Sequence, residues 1–387
     1  MTSPLSTPQV LVAELTHRCP LHCVYCSNPL ELTRRECELP QGIWMRVFRE
    51  AAEAGVLQVD LTGGEPLART DVVDLVASAR SAGLYVSLIT SGVPLDEARL
   101  GALVDAGLDH FQLSFQGATK ETAQEISHTT SHGQKLVVLE WLKTHRIGLT
   151  LNFVIHRQNI GELEGMLAIV EEHQPTAVEF ASVQYYGWGL ANRQALLPTR
   201  EQLDYCLETL KAAEERWKGK TRVLFVVPDY YAKFPKACVG GWGQKLMLVA
   251  PDGRVLPCHA AAVIPGMQFE NVKTSSLKDI WESSSAFRRF RGEAWMQEPC
   301  KSCDRRHIDF GGCRCQAFLL AGDASATDPV CSLAPTRHRV DAILGAINQQ
   351  PPQGPEEKPN YVYRWSPGLS SCCPIDRLED THHDPDT

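Results

Sequence analysis

The chain has 387 residues, of which 43% are hydrophobic and 22% charged, an ordinary balance for a folded protein; the length predicts a principal core with an appended module. A formal net charge of −8 excludes the basic surface that a phosphate-backbone partner needs. No apolar run reaches the roughly 18–20 residues of a membrane helix, and residues 1–8 lack the basic and apolar regions of an export signal, so a cytoplasmic location is expected. In that setting fourteen cysteines point to metal or cluster ligation rather than to disulfides.

In chain order, residues 10–15, 57–62, 84–90, 110–115, 149–156 and 177–183 read as strands. Between them, residues 41–54, 71–82, 96–106, 134–146 and 160–173 carry apolar residues at helical spacing. Strands that recur about every 25–35 residues predict right-handed βα units, hence a parallel barrel or a doubly wound sheet. A closed barrel needs eight units, so six predict a partial, TIM-like (β/α)6 barrel in an α/β chain, with a flat sheet as the alternative. Residues 199–218 read as a further helix and 223–227 as a strand leading out of the core. From residue 236 the texture changes to short apolar pieces, glycines and closely spaced cysteines. The expected division is a core at 1–190, a bridging region at 191–235, a cysteine-rich module at 236–345 and a tail at 346–387, exposed at least over 350–360 and 381–387.

In both architectures ligands sit where the strands end, and the motifs fall there. Cys19, Cys23 and Cys26 form a Cys-x3-Cys-x2-Cys triplet just after the first strand. Three thiolates from one loop can hold three irons of a [4Fe–4S] cube and leave the fourth open to an outside molecule. A zinc site completed by His17 or His22 is the alternative. After the second strand comes Thr62-Gly63-Gly64-Glu65-Pro66. Its glycines permit close backbone approach to a ligand and Glu65 can accept from an ammonium group, although the same segment also reads as a carboxylate-capped turn. Further on stand Cys238, Gly253-x4-Cys258, Cys300-x2-Cys303-x5-Asp309-x3-Cys313, Cys315 and Cys331. These seven cysteines and one aspartate supply eight ligands, enough to close two four-iron clusters. A zinc-ribbon-like use of Cys300, Cys303, Cys313 and Cys315 and a turn-capping Asp309 are the alternatives.

The triplet and the Gly63-Gly64-Glu65-Pro66 segment, at neighbouring strand ends, resemble the radical S-adenosylmethionine (SAM) family. The resemblance implies that Cys19, Cys23 and Cys26 hold a [4Fe–4S] cluster and that Gly63, Gly64, Glu65 and Pro66 receive the methionyl amine of SAM. It further implies that Ser91, Ser114 and Asn152 meet the ribose and carboxylate, an ordinary strand-end hydrogen bond being the other reading for each. In that family reductive cleavage of SAM yields a 5′-deoxyadenosyl radical, which takes a hydrogen from the substrate.

The C-terminal array resembles the SPASM extension, with Asp309 where the usual pattern has cysteine. Carried over, the pattern implies a first auxiliary cluster on Cys238, Cys258, Cys313 and Cys315, and a second on Cys300, Cys303, Asp309 and Cys331. The aspartate exchange, Cys315, and residues 149–159, 184–188, 192–193 and 197–200 together resemble the PqqE family of pyrroloquinoline quinone biosynthesis, over about residues 8–345. The implied activity is that of an oxidoreductase joining a glutamate and a tyrosine side chain of the PqqA precursor peptide. Its implied partners are the peptide chaperone PqqD and a low-potential electron donor such as flavodoxin. A thioether-forming or sulfatase-activating SPASM enzyme and a zinc-binding scaffold are the competing readings. Tyr185, Tyr186 and Trp188 are candidates for the substrate wall or for core packing. Cys37, Cys206, Cys372 and Cys373 are left as free thiols.

Overall fold

A computed structural model describes residues 6–349 and 359–364. Six strands, β1 (Val10–Thr16), β2 (Gln58–Gly63), β3 (Tyr85–Thr90), β4 (His110–Phe115), β5 (Gly148–Ile155) and β6 (Ala177–Ser182), pair in parallel in chain order. The helices between them are α1 (Gln41–Glu53), α2 (Val72–Ser81), α3 (Glu97–Asp105), α4 (Lys120–Ser127), α5 (His132–Leu142) and α6 (Leu163–His173).

The strands obey a strict two-residue period. Leu11, Ala13 and Leu15, Val59 and Leu61, Val86 and Leu88, Phe111 and Leu113, Leu151 and Phe153, and Val178 and Phe180 join one apolar core with the inward faces of the helices, including Trp44, Val47, Leu75, Leu100, Val138 and Leu167. Many of the alternate positions are polar, among them Glu14, Asp60, Ser87, Gln112, Ser114, Asn152 and Glu179. Helices therefore cover one face only, and the opposite, polar face lines the interior of a partial barrel. A doubly wound sheet would need helices and apolar residues on both faces.

After α7 (Gly187–Ala191), α8 (Arg193–Leu196) and α9 (Arg200–Arg216) comes β7 (Arg222–Phe225). It was expected to lead out of the core; instead it pairs in parallel with β6 and extends the barrel sheet. A short β-branched run identifies a strand without identifying its partner. At the other edge, β8 (Leu246–Val249) pairs in parallel with β1, and β9 (Val255–Leu256) turns back against it, giving the order β7-β6-β5-β4-β3-β2-β1-β8-β9. The cysteine-rich module thus contributes strands to the core sheet.

The rest of that module contains α10 (Leu277–Ser283), α11 (Ser285–Arg288), α12 (Arg306–Asp309) and α13 (Arg314–Ala321), followed by α14 (Arg337–Gln349), which runs past the expected boundary at 345. Fully buried Arg314 organises its interior. Its guanidinium donates to the carbonyls of Gly311, Ala324 and Ala326 and lies 4.6 Å from the Trp295 ring centroid. Within the expected tail, Tyr361 and Arg364 are buried against the barrel; the segments expected to be exposed, 350–360 and 381–387, lie almost wholly outside the described residues. Residues 350–358 and 365–387, with Cys372 and Cys373, lie outside the described residues, as do residues 1–5. Among the described residues no helix is long and apolar enough to cross a membrane.

Candidate active site

The triplet leaves β1 at a register shift: Glu14 pairs with Thr62, but Thr16 pairs with Gly63. Such a bulge bends the strand end and redirects the chain that follows. The amides of Gly64 and Glu65 then donate to the carbonyls of Thr16 and Arg18, at 2.6 and 2.7 Å. A Cβ on Gly63 would strike the Thr16 carbonyl, and one on Gly64 the carbonyls of His17 and Arg18; Gly63 also has φ +122°. The glycines first serve to seat the β2 end against the root of the cysteine loop.

Within that loop the Cys26 amide donates to the Cys23 carbonyl at 3.1 Å, the Leu21 amide to Cys19 Sγ at 3.4 Å, and the Cys26 thiol to Asn28 Oδ1 at 3.3 Å. Burial pushes the Cys19 thiol up to about 12, and burial with neighbouring thiols raises Cys23 further. Three soft sulfur donors on one turn suit an iron–sulfur cluster. His17 does not suit the zinc alternative. Its Nδ1 accepts from the Thr33 amide at 2.8 Å and its Nε2 lies 3.3 Å from Glu14, so both ring nitrogens are committed.

Glu65 is completely buried. Its carboxylate accepts from the Leu67 amide at 3.0 Å, Thr90 Oγ1 at 2.6 Å, the Ser91 amide at 2.8 Å and the Ser91 hydroxyl. Pro66 opens the short turn that follows. Ser91 therefore lies beside Glu65, at the adjacent strand end. Ser114 and Asn152 are opposite each other in register on β4 and β5, and Asn152 Nδ2 donates to Glu179 on β6 at 3.1 Å.

Sequence reasoning missed Lys135. This fully buried side chain reaches from α5 to the Ser114 carbonyl at 2.6 Å and Gln116 Oε1 at 2.5 Å, and burial lowers it to about 8. A lysine on a mixed helix face gives no local signal of that position. Glu14 was also missed. Its two oxygens lie 3.3 Å from His17 Nε2 and 2.9 Å from His259 Nδ1, joining the root of the triplet to the residue after Cys258.

The C-terminal cysteines gather in two groups. Cys258 and Cys315 sulfurs are 3.7 Å apart, and thiol hydrogen bonds link Cys238 to Cys258 and Cys313, and Cys313 to Cys315. Donation from the Cys238 and Cys315 thiols lowers Cys258. Cys300, Cys303, Asp309 and Cys331 line one small cavity with Thr327 and Pro299. Asp309 also accepts from the Gly311 amide at 3.0 Å and pairs with Arg305 at 3.4 Å, so it caps the turn while bordering the cavity. Buried Asp328, unforeseen from sequence, accepts from the amides of Cys313 and Val330 at 2.8 and 3.0 Å and steadies the chain between the two groups.

Of the aromatic candidates, Trp188 is a core residue and Tyr185 packs on Tyr230 with ring centroids 5.1 Å apart. Tyr186 packs against the cluster of residues that contains Cys258, Cys313 and Cys315. Cys206 is buried in the helical core and Cys37 is exposed.

Comparison with known proteins agrees with this arrangement. Residues 13–170 match the model of the Radical SAM superfamily, and residues 238–304 match that of an iron–sulfur cluster-binding SPASM domain. A PqqA peptide cyclase of Granulibacter bethesdensis is 49% identical over 363 residues, 94% of this chain and 95% of the relative. One of Gluconobacter oxydans is 52% identical over 353 residues, 91% and 97% of the two chains. Among solved structures, Streptococcus suis SuiB bound to S-adenosylmethionine superposes with a TM-score of 0.71 at 18% identity, over 85% of this chain and 78% of that one. The anSMEcpe structure with bound AdoMet and Cp18Cys peptide gives 0.59 at 17% identity, over 88% and 99%. With half its residues shared along nearly the full length of these cyclases, a parallel barrel and a C-terminal SPASM domain, the chain belongs to the PqqA peptide cyclase family of radical SAM enzymes.

Proposed function

We propose that this enzyme forms a carbon–carbon bond between a glutamate and a tyrosine side chain of the PqqA precursor peptide, an early step of pyrroloquinoline quinone biosynthesis. The observation that carries this reading is the near-full-length identity of about half to PqqA peptide cyclases. The two C-terminal donor groups, one including Asp309, support it.

Cys19, Cys23 and Cys26 would hold the [4Fe–4S] cluster, whose reductive cleavage of bound SAM supplies the hydrogen-abstracting radical. Glu65 receives the SAM ammonium, sharing its carboxylate with Thr90 and Ser91; the Ser91 hydroxyl can rotate to yield its acceptor position. Gly63, Gly64 and Pro66 hold that carboxylate at the mouth of the barrel. Ser114 and Asn152, on the polar face, meet the ribose and carboxylate. The surrounding barrel wall orients the peptide and keeps water from the reacting carbon.

Cys238, Cys258, Cys313 and Cys315 would carry one auxiliary cluster, and Cys300, Cys303, Asp309 and Cys331 a second. Such clusters would accept or relay the electron that, together with a proton, the tyrosine ring loses as it regains aromaticity after the new bond forms. The peptide arrives with the chaperone PqqD, and a low-potential donor such as flavodoxin supplies the electron for SAM cleavage. Core, bridging and SPASM regions divide this labour at about residues 190 and 236.

Reconstituted enzyme incubated with SAM, reductant, PqqA and PqqD is expected to yield 5′-deoxyadenosine and a peptide lighter by two hydrogens. Tandem mass spectrometry should place the link between glutamate and tyrosine. Deoxyadenosine without the lighter peptide, or a link through sulfur, would reject the proposal.

A further inference from the structure

Residues 361–364 return to the barrel across some 340 residues of sequence and lock onto the cysteine loop. Asn192 forms the clasp. Its Nδ2 donates to the carbonyls of Val24, between Cys23 and Cys26, and Val362, each at 2.8 Å, while its Oδ1 accepts from the Val362 amide at 2.8 Å. Tyr361 and Tyr363 pack on either side against the cluster of residues containing Val24, Ile126 and Leu196. The Tyr363 hydroxyl donates to the Glu125 carbonyl at 2.9 Å.

This clasp delivers Arg364, which is 6% exposed, to the triplet. Its guanidinium donates to the His17 carbonyl and reaches Asn28 Oδ1 at 3.5 Å, the same oxygen that accepts from the Cys26 thiol. Its Nε is buried without a hydrogen-bond partner, and among the described residues no carboxylate forms an ion pair with it. Burying a cation with no anion beside it is unfavourable. Among the described residues the group next to this cation that can take up negative charge is the cysteine triplet, which Arg364 reaches through the His17 carbonyl and Asn28 Oδ1. Three iron-bound thiolates would offset the cation, because they carry net negative charge that increases when the cluster accepts an electron.

We infer that Arg364, held in place by Asn192, is a positioning residue of the SAM-binding cluster site: its charge offsets that of the thiolate-ligated cluster and favours cluster reduction. The inference rests on the assignment of the cluster to Cys19, Cys23 and Cys26. A cation beside the cluster stabilises the more negative, reduced form over the oxidised one. Its removal makes the cluster harder to reduce. The C-terminal end of the chain thereby takes part in the chemistry of a loop near its beginning.

Redox titration followed by electron paramagnetic resonance tests this in the full-length, cluster-loaded enzyme without SAM. The relevant signal is the one that changes when SAM is added and disappears in Cys23→Ala. Arg364→Gln is expected to lower its reduction equilibrium at least tenfold, a shift of about 59 mV to more negative potential. Arg364→Lys, which keeps the charge, is expected to stay close to wild type, and auxiliary signals should not move. Equal shifts in both variants, or no shift in either, would overturn the inference. An unchanged potential with weakened SAM binding would also overturn it, assigning Arg364 to the SAM carboxylate instead. If wild-type enzyme showed no SAM-responsive, Cys23-dependent signal, the cluster assignment itself would fail, a result distinct from an unshifted Arg364→Gln signal.

Discussion

At Glu14 two opposing effects can be weighed. Burial by itself raises a carboxyl group, but hydrogen bonds and charge from His17 and His259 outweigh it and hold Glu14 at about 2, below the ordinary 4.5. A carboxylate with a lowered folded-state pKa stabilises the fold above its unfolded value, and that contribution is lost as pH falls through the folded value. For Glu14 the window runs from 4.5 down to about 2. The shift bounds the contribution at roughly 3 kcal/mol. In metal-free protein, Glu14→Gln should lower stability at pH 7 by up to about that amount and flatten the loss of stability between those limits. Urea unfolding at a series of pH values measures both effects. Parallel wild-type and variant profiles would show that the two histidines contribute no net stabilisation through Glu14. The residue also has positional meaning, since it lies on the polar face of β1 and touches one histidine from each cysteine-bearing region.

Among the elements, the junction of β1 and β2 has the least steric freedom. Gly64 has no room for a Cβ because its neighbours are backbone carbonyls, which cannot move aside as a side chain could. Gly64→Ala should therefore force the strand ends apart and cost on the order of 2 kcal/mol or more. The amide bonds from Gly64 and Glu65 to the cysteine loop would lengthen with it. Unfolding curves would register the destabilisation and equilibrium dialysis a loss of SAM affinity; normal values for both would contradict the close-packed junction. These contacts explain what was legible at this scale. The Cys19-x3-Cys23-x2-Cys26 and Gly63-Gly64-Glu65-Pro66 segments are contiguous, so spacing carried the reading. The capping box of α9, in which Thr199 and Gln202 exchange hydrogen bonds, is equally local and falls where the sequence reading starts that helix. By contrast, α4 is polar and threonine-rich at its start, and its position depends on Glu162, which accepts from Ala118, Thr119 and Thr122. Four-residue β8 has too few positions for a periodic signal, and its pairing with β1 spans more than 230 residues.

Over the whole molecule the same distinction separates the first site from the others. Lys135, Asp328 and Arg364 acquire their roles from tertiary placement alone, which no spacing pattern announces. The cysteine groups differ in another respect: the triplet comes from one loop, whereas Cys238, Cys258, Cys313 and Cys315 converge from segments spread over 77 positions and are positioned by the fold of the module. Buried Arg314 and Asp328, which bind backbone on both sides of that convergence, depend on no residue of the triplet. The C-terminal donor groups should therefore load iron when the triplet cannot. Cys23→Ala is expected to abolish deoxyadenosine formation and to lose about a third of the iron, some four of roughly twelve atoms if three four-iron clusters assemble. Iron analysis and absorption spectra of the reconstituted variant provide the check. Full retention of SAM cleavage would reject the triplet as the catalytic site, and loss of nearly all iron would mean that β8 and the Glu14 bridge make the three sites assemble as one unit.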